Sequence, residues 1–361
     1  MLKIIMLLIF IIFPFQLYAS TPMVYAEKES IYSKAFNADR EFYVHLPESY
    51  LSKSEKKYPV LYVLRGQSET LNAVANVKAI SNDLPEFIII GVQSQGRELL
   101  PATLDDGSIN QQGKSFKTFL LNELFPHISK TYRVAGFNIL AGHSNSGRFV
   151  MNSLLDGPVK FDAYFASSPS IDDYAINKKA NKKALDLSST NTHLILTLAN
   201  EGEHMQKPFG ELVTIFESSG NNKGKFHHKT FPEQTHASTA IVSQLYALRT
   251  LFHGWRPSWD TKVLGLTALQ GHYQQLSDKY GFSVEVDSLH LLQMSFVFSR
   301  METEEGDIKA EQVVTYALKN YPNIATEFFD VIDQLDLYGH KQASVNLNQL
   351  LCKNLKDDRC G

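Results

Sequence analysis

The chain has 361 residues, 43% of them hydrophobic and 20% charged, with 35 Lys and Arg against 38 Asp and Glu for a net charge of −3. That is room for one large domain or two modest ones. No basic excess or basic run points to nucleic acid, and no acidic tail points to a basic partner.

The first residues are a different material. Lys3 is the only early charge, residues 4–15 are almost purely apolar, and "LYAS" offers Ala19 as a small residue for cleavage. This reads as a secretory signal peptide over residues 1–19, because the apolar run is short for a membrane span of about 20 residues. An uncleaved anchor is the alternative, since position 17 is Leu rather than a small residue. The expected mature chain begins near Ser20 or Thr21, in the periplasm or outside the cell, with no membrane association after cleavage.

From about residue 40 to residue 250, strand and helix signals alternate. "EFYVHL", "YPVLYVL", "EFIIIGV", "FNILAG", "FDAYFAS", "HLILTLA" and "KFHHKTF" read as strands. "SFKTFLLNELFPHI" sets Phe116, Leu120, Leu124 and Ile128 on one helical face, and "FGELVTIFES" points Leu212, Ile215 and Phe216 inward. "ASTAIVSQLYALRTLFHGW" is a long helix. Near-continuous apolar strands separated by helices predict a mostly parallel sheet covered on both faces. In such sheets the site lies at the carboxyl ends of the strands.

The character changes after "GWRPSWD" (254–260). Five helices are expected, over 262–279, 287–300, 307–320, 324–337 and 340–355. "EQVVTYALKNYPNIATEFFDVIDQLDLYGHKQAS" reads as a degenerate helix-turn-helix unit of tetratricopeptide type, which must pack on its neighbours or on the first domain to bury its face. The organisation predicted is therefore a signal peptide over 1–19, an α/β domain over 25–256 and a helical extension over 257–361. The extension is a candidate surface for a protein partner, with plain helical packing as the alternative. The two cysteines, Cys352 and Cys360, close a small loop in an oxidising compartment or remain free thiols.

"ILAGHSNSGRFV" (139–150) carries the chemistry. A serine hydroxyl needs a base to take its proton, and a sharp strand-to-helix turn lifts the side chain into reach. Such a turn needs small residues two before and two after the nucleophile, here Gly142 and Ser146 around Ser144. The Asn145 N–H then starts a helix and can hold an oxyanion. In this arrangement the order is Ser, acid, His. His236 in "FPEQTHAST" follows a strand, as the base should. "NEGEHM" supplies Glu201 and Glu203 after "HLILTLA"; the count from Asn200 leans to Glu203 and leaves Glu201 open. A second oxyanion donor is expected from the loop after "VLYVL", where Gly66 permits close approach and the Gln67 N–H is the candidate. Segments 66–80 and 93–113 are expected to form pocket-wall loops.

Taken in order, "PVLYVLRGQSE", "EFIIIGV", "GRELLPAT", "FLLNELFPHISKTYRV", "ILAGHSNSG", "FDAYFASSPS", "LANEGEHM" and "FPEQTHAS…LRTLFHGW" resemble the Putative esterase family of α/β-hydrolases over roughly residues 30–256. That family includes enterochelin esterases, S-formylglutathione hydrolases, feruloyl esterases and mycolyltransferases. The strongest likeness is to the periplasmic branch that hydrolyses the trilactone of catecholate siderophores. The resemblance implies an α/β-hydrolase fold, Ser144 as nucleophile, His236 as base, an acid within 201–203, and oxyanion N–H groups at Gln67 and Asn145. Some relatives work with a Ser-His dyad.

The chain departs from the family at Arg65, where Asp is usual before the glycine, at Arg97-Glu98, and at Asn145-Ser146 in the elbow. Arg65 and Arg97 are candidates to hold an anionic substrate group, with ordinary salt bridges as the plainer expectation. His227 and His228 point to opposite strand faces and cannot share a metal. His204 follows the wrong strand for the base. Ser167-Ser168-Pro169-Ser170 should line the site without reacting. No phosphate-cradling loop or dinucleotide fingerprint occurs, and no metal or organic cofactor is implied. The expected protein is thus a secreted or periplasmic serine esterase acting on a small-molecule ester. Its rivals are an acyltransferase and a non-catalytic binding protein on a hydrolase scaffold.

Overall fold

A computed structural model describes residues 24–104, 106–157, 160–219, 222–321, 323–355 and 358–360. The proposed signal peptide, residues 1–19, and the expected mature start lie outside the described residues. Among the described residues eight strands form one sheet: β1 (Glu27–Ser33), β2 (Ala38–His45), β3 (Tyr58–Leu64), β4 (Ile88–Val92), β5 (Val134–His143), β6 (Ala163–Ser167), β7 (His193–Ala199) and β8 (Phe226–Phe231). Their order is β1-β2-β4-β3-β5-β6-β7-β8. β1 and β2 pair antiparallel, as do β2 and β4; β3 through β8 run parallel with β4. β3, β4 and β6 are buried along their whole length, as their unbroken apolar runs require when both faces are covered.

The α-helices that accompany the sheet among the described residues are α1 (Gly66–Ala79), α2 (Gln111–Thr118), α3 (Phe125–Thr131), α4 (Asn145–Leu155), α5 (Ala175–Lys183), α6 (Glu203–Ser218) and α7 (Thr239–Leu251). α1 and α7 pack with Leu61, Val63, Ile139 and Ala141 on one face. α2 to α6 pack with Tyr62, Leu64, Ile90 and Leu140 on the other. This is the α/β-hydrolase fold. Phe116, Leu120, Leu124 and Ile128 are all buried, as the helical spacing requires. Between α2 and α3 the ladder widens, with the Phe125 N–H donating to the Leu120 carbonyl just ahead of Pro126. Proline lacks the N–H that would continue the regular ladder, so the wider turn falls beside it. Segment 66–80, expected as a loop, is instead the helix α1.

The extension is all α: α8 (Trp259–Leu264), α9 (Leu266–Tyr280), α10 (Ser288–Ser299), α11 (Glu304–Asn320), α12 (Ala325–Leu337) and α13 (Lys341–Asn354). The helix expected over 262–279 is broken at Gly265, whose φ of 110° ends α8 and starts α9. Side chains of Ser258, Asp287 and Thr303 accept first-turn N–H groups of α8, α10 and α11. The extension shares a core with the α1/α7 face of the sheet. Its centre is an aromatic seam in which the Tyr280 ring lies 5.0 Å from Phe252, 5.6 Å from Phe137 and 5.7 Å from Trp255. The Tyr280 hydroxyl donates to the Leu251 carbonyl at 2.8 Å. Cys352 and Cys360 form a disulfide that closes the C-terminal tail.

Candidate active site

β5 delivers Ser144 to a turn and α4 begins at the next residue. Ser144 has φ 59° and ψ −123°, a conformation costly for a residue with a Cβ. The chain holds it there by close packing. A Cβ on Gly142 would lie 2.5 Å from the Ser146 carbonyl oxygen, and one on Gly147 would lie 3.0 Å from that of Ser167. The Ser144 N–H donates to the Ser167 carbonyl at 3.0 Å, and the Ser144 carbonyl accepts from Arg148 N–H at 2.9 Å and Ser170 N–H at 3.3 Å. The 167–170 segment therefore braces the turn through its backbone.

Ser146 is fully buried. Its hydroxyl donates to the His143 carbonyl at 2.7 Å and accepts from the His143 N–H at 3.0 Å. The departure from the usual glycine thus replaces bare space with two hydrogen bonds inside the elbow.

His236 lies beyond β8 and Glu201 just beyond β7. His236 Nε2 is 2.9 Å from Ser144 Oγ, and His236 Nδ1 is 2.9 Å from Glu201 Oε1. An ionised carboxylate only accepts, so Nδ1 carries the proton and Nε2 is left to accept from the serine hydroxyl. The Glu201 side chain is 10% exposed and that of His236 is 45% exposed. One end of the hydrogen-bonded chain is shielded and the other opens to solvent.

Glu203, toward which the spacing leans, does not join this arrangement. It is the first residue of α6 and is exposed. The backbone explains why. The Asn200 N–H donates to the Gln234 carbonyl at 2.9 Å and the Glu201 N–H to the Ala199 carbonyl at 3.0 Å. The strand therefore turns at once beside the His236 loop, and by residue 203 the chain has already become helix. His204 is on the same helix and exposed.

Asn145 is the first residue of α4, and Gln67 is the second residue of α1. Their N–H groups belong to first turns, which have no acceptor within the helix. Arg65 turns the chain into α1 with φ 56°. Its N–H donates to Ser94 Oγ at 2.9 Å, while the Gln67 side-chain amide donates to the Ser94 carbonyl at 2.9 Å. Gly66 lies so near β4 that a Cβ would meet the Gly91 carbonyl carbon at 2.2 Å. Among the described residues the Arg65 and Arg97 guanidinium groups form no ion pair; Glu98 instead pairs with Arg40, at 2.8 Å.

Two contributors escaped the sequence reading. Ser94 is buried and ties the Arg65–Gln67 turn. His143 is buried, and its Nε2–H donates to the His236 carbonyl at 2.7 Å. The two imidazole centroids are 4.6 Å apart. Burial, aided by His236, pushes the His143 ring down to about 4. The available signal was strand parity, since residue 143 shares the sheet face of Ile139 and Ala141. His227 and His228 stand apart from the site on β8, where His228 meets Glu217 at 3.1 Å.

With this geometry in hand, comparison with known proteins identifies the class. The chain belongs to the α/β-hydrolase family described as Putative esterase, whose model matches residues 33–242. An IroE-like serine hydrolase from Shewanella oneidensis is similar at a TM-score of 0.62 and 22% identity, over 80% of this chain and 98% of its own. An uncharacterised protein from Capnocytophaga ochracea is similar at a TM-score of 0.62 and 15% identity, over 91% of this chain and 93% of its own. That coverage takes in most of the helical extension. The siderophore hydrolase EstB from Aspergillus nidulans is similar at a TM-score of 0.54 and 18% identity, over 66% of this chain and 98% of its own. No match is found among curated proteins.

Proposed function

We propose that this member of the esterase family is a secreted or periplasmic serine esterase that cleaves carboxylic esters through an acyl-enzyme. Siderophore-type lactones and small acyl esters are the substrate classes. Ser144 attacks the ester carbonyl while His236 Nε2 takes its proton, and Glu201 holds the imidazole in the required tautomer. The N–H groups of Asn145 and Gln67 receive the charge that develops on the carbonyl oxygen, an interaction worth about 3 kcal/mol per donor in comparable sites. His236 passes the proton to the leaving alcohol, and water then releases the acyl group by the same steps in reverse.

The observation that carries this reading is the unbroken chain from Ser144 Oγ to His236 to Glu201, with both links at 2.9 Å. The lactone class is supported by the likeness to a siderophore hydrolase. The division at residue 256 and a tetratricopeptide-like extension that offers its surface to a protein partner belong to the same proposal. A fluorophosphonate probe tests the centre of it. Labelling should occur in the wild type, vanish in Ser144→Ala and persist in Ser146→Ala. A wild type that never labels indicates a binding protein on this scaffold. A panel of p-nitrophenyl esters and a catecholate trilactone, assayed with and without an added alcohol, separates hydrolysis from acyl transfer. An untouched lactone beside turnover of simple esters removes the siderophore assignment alone.

A further inference from the structure

We infer that His143 is a positioning residue that fixes the catalytic base, joining the nucleophile's own strand to the backbone of His236. This rests on the reading of Ser144 and His236 as the reacting pair. The covalent neighbour of Ser144 is hydrogen-bonded to the residue whose imidazole must meet Ser144. His143 Nε2–H holds the His236 carbonyl at 2.7 Å, and the two rings lie 4.6 Å apart at a tilt of 44°.

The His236 loop has few other anchors. Gln234 O accepts from Asn200 N–H at 2.9 Å, and Thr235 with Ser238 closes a local turn. The His236 side chain is 45% exposed. Glu201 grips one ring nitrogen and does not hold the His236 peptide itself. His143 supplies the grip on the peptide, and its ring packs against the imidazole at a tilt. A misplacement of about 1 Å between reacting groups can cost about 10²-fold in rate, so such a grip bears directly on turnover.

The role also needs His143 uncharged, because a second cation beside His236 would oppose formation of the imidazolium. The surroundings meet that need. Burial is the main influence disfavouring charge on His143, the His236 ring and Arg65 add to it, and the His236 carbonyl and Glu201 oppose it less strongly. Glu69 of α1 borders the same small cavity behind the ring. Neutral His143 keeps its proton on Nε2, where the carbonyl requires it.

The test compares His143→Leu, His143→Gln and wild type as full chains, by fluorophosphonate labelling rate and by ester kinetics. The Leu variant should lose about 10- to 100-fold in labelling rate and kcat with KM changed less than about twofold. The Gln variant keeps a side-chain N–H donor and should recover most of that loss. If the Leu variant does not fold, His143→Asn, whose amide is too short to reach, takes its place. Wild-type rates in the Leu variant, or equal losses in Leu and Gln, overturn the assignment while leaving the catalytic pair intact. A wild type that does not label removes the catalytic pair and this role together.

Discussion

Ser146 shows how one hydroxyl can substitute for the glycine that an elbow usually demands. Its two bonds to the His143 backbone make it part of the turn, so Ser146→Ala should lower stability by about 1–2 kcal/mol in urea unfolding while the enzyme keeps most of its activity. The two glutamates separate just as sharply. Glu201→Ala should reduce kcat/KM by about 10²-fold or more, whereas Glu203→Ala should stay within about twofold in the same ester assay. Which glutamate faces His236 was not legible in the sequence, because it depends on where the chain bends after β7.

Two imidazoles, the buried His143 and the partly buried His193, give the fold a pH dependence. Burial holds His143 down to about 4 and His193 down to about 3, with Lys225 nearby adding to the second. Below about pH 6.5 the unfolded chain binds protons at these rings while the folded chain does not, so stability should fall as pH drops from about 6.5 toward 4. Melting temperatures across that range check it, and His193→Asn should flatten the slope.

At the scale of elements, the approach of α1 to β4 sets the position of the Gln67 N–H. Gly66→Ala would force its Cβ into Gly91, so it should both destabilise the protein by about 1–3 kcal/mol and slow ester turnover. Denaturation and kcat measured on one preparation test the pair of effects. The inner strands β3, β4 and β6 were legible from their unbroken apolar runs, and the helices of the extension from their periodicity. α1 was not. Its buried positions mix Gly66, Thr70 and Asn76 with Ala73, Val74 and Val77, while Leu71 is exposed, so its apolar stripe is short and diluted by polar and small residues. β1 was also hidden, since an edge strand reading EKESIYS is mostly exposed and lacks the contrast that identifies an inner strand.

At the scale of the whole molecule, the α1/α7 face of the sheet and the extension make one core. Tyr280→Ala should cost about 3–5 kcal/mol, and both parts should lose structure together in one calorimetric transition rather than two. A chain ended at residue 256 would leave Phe137, Phe252 and Trp255 without their Tyr280 and Phe282 partners, and it should precipitate or bind a hydrophobic dye.

The half-uncovered His236 has a kinetic consequence. On the proposed mechanism, solvent reaches the imidazole directly, so an acyl group carried on Ser144 would stand open to water. An incoming alcohol would then compete with a neighbour present in vast excess, which favours release of that acyl group over its transfer.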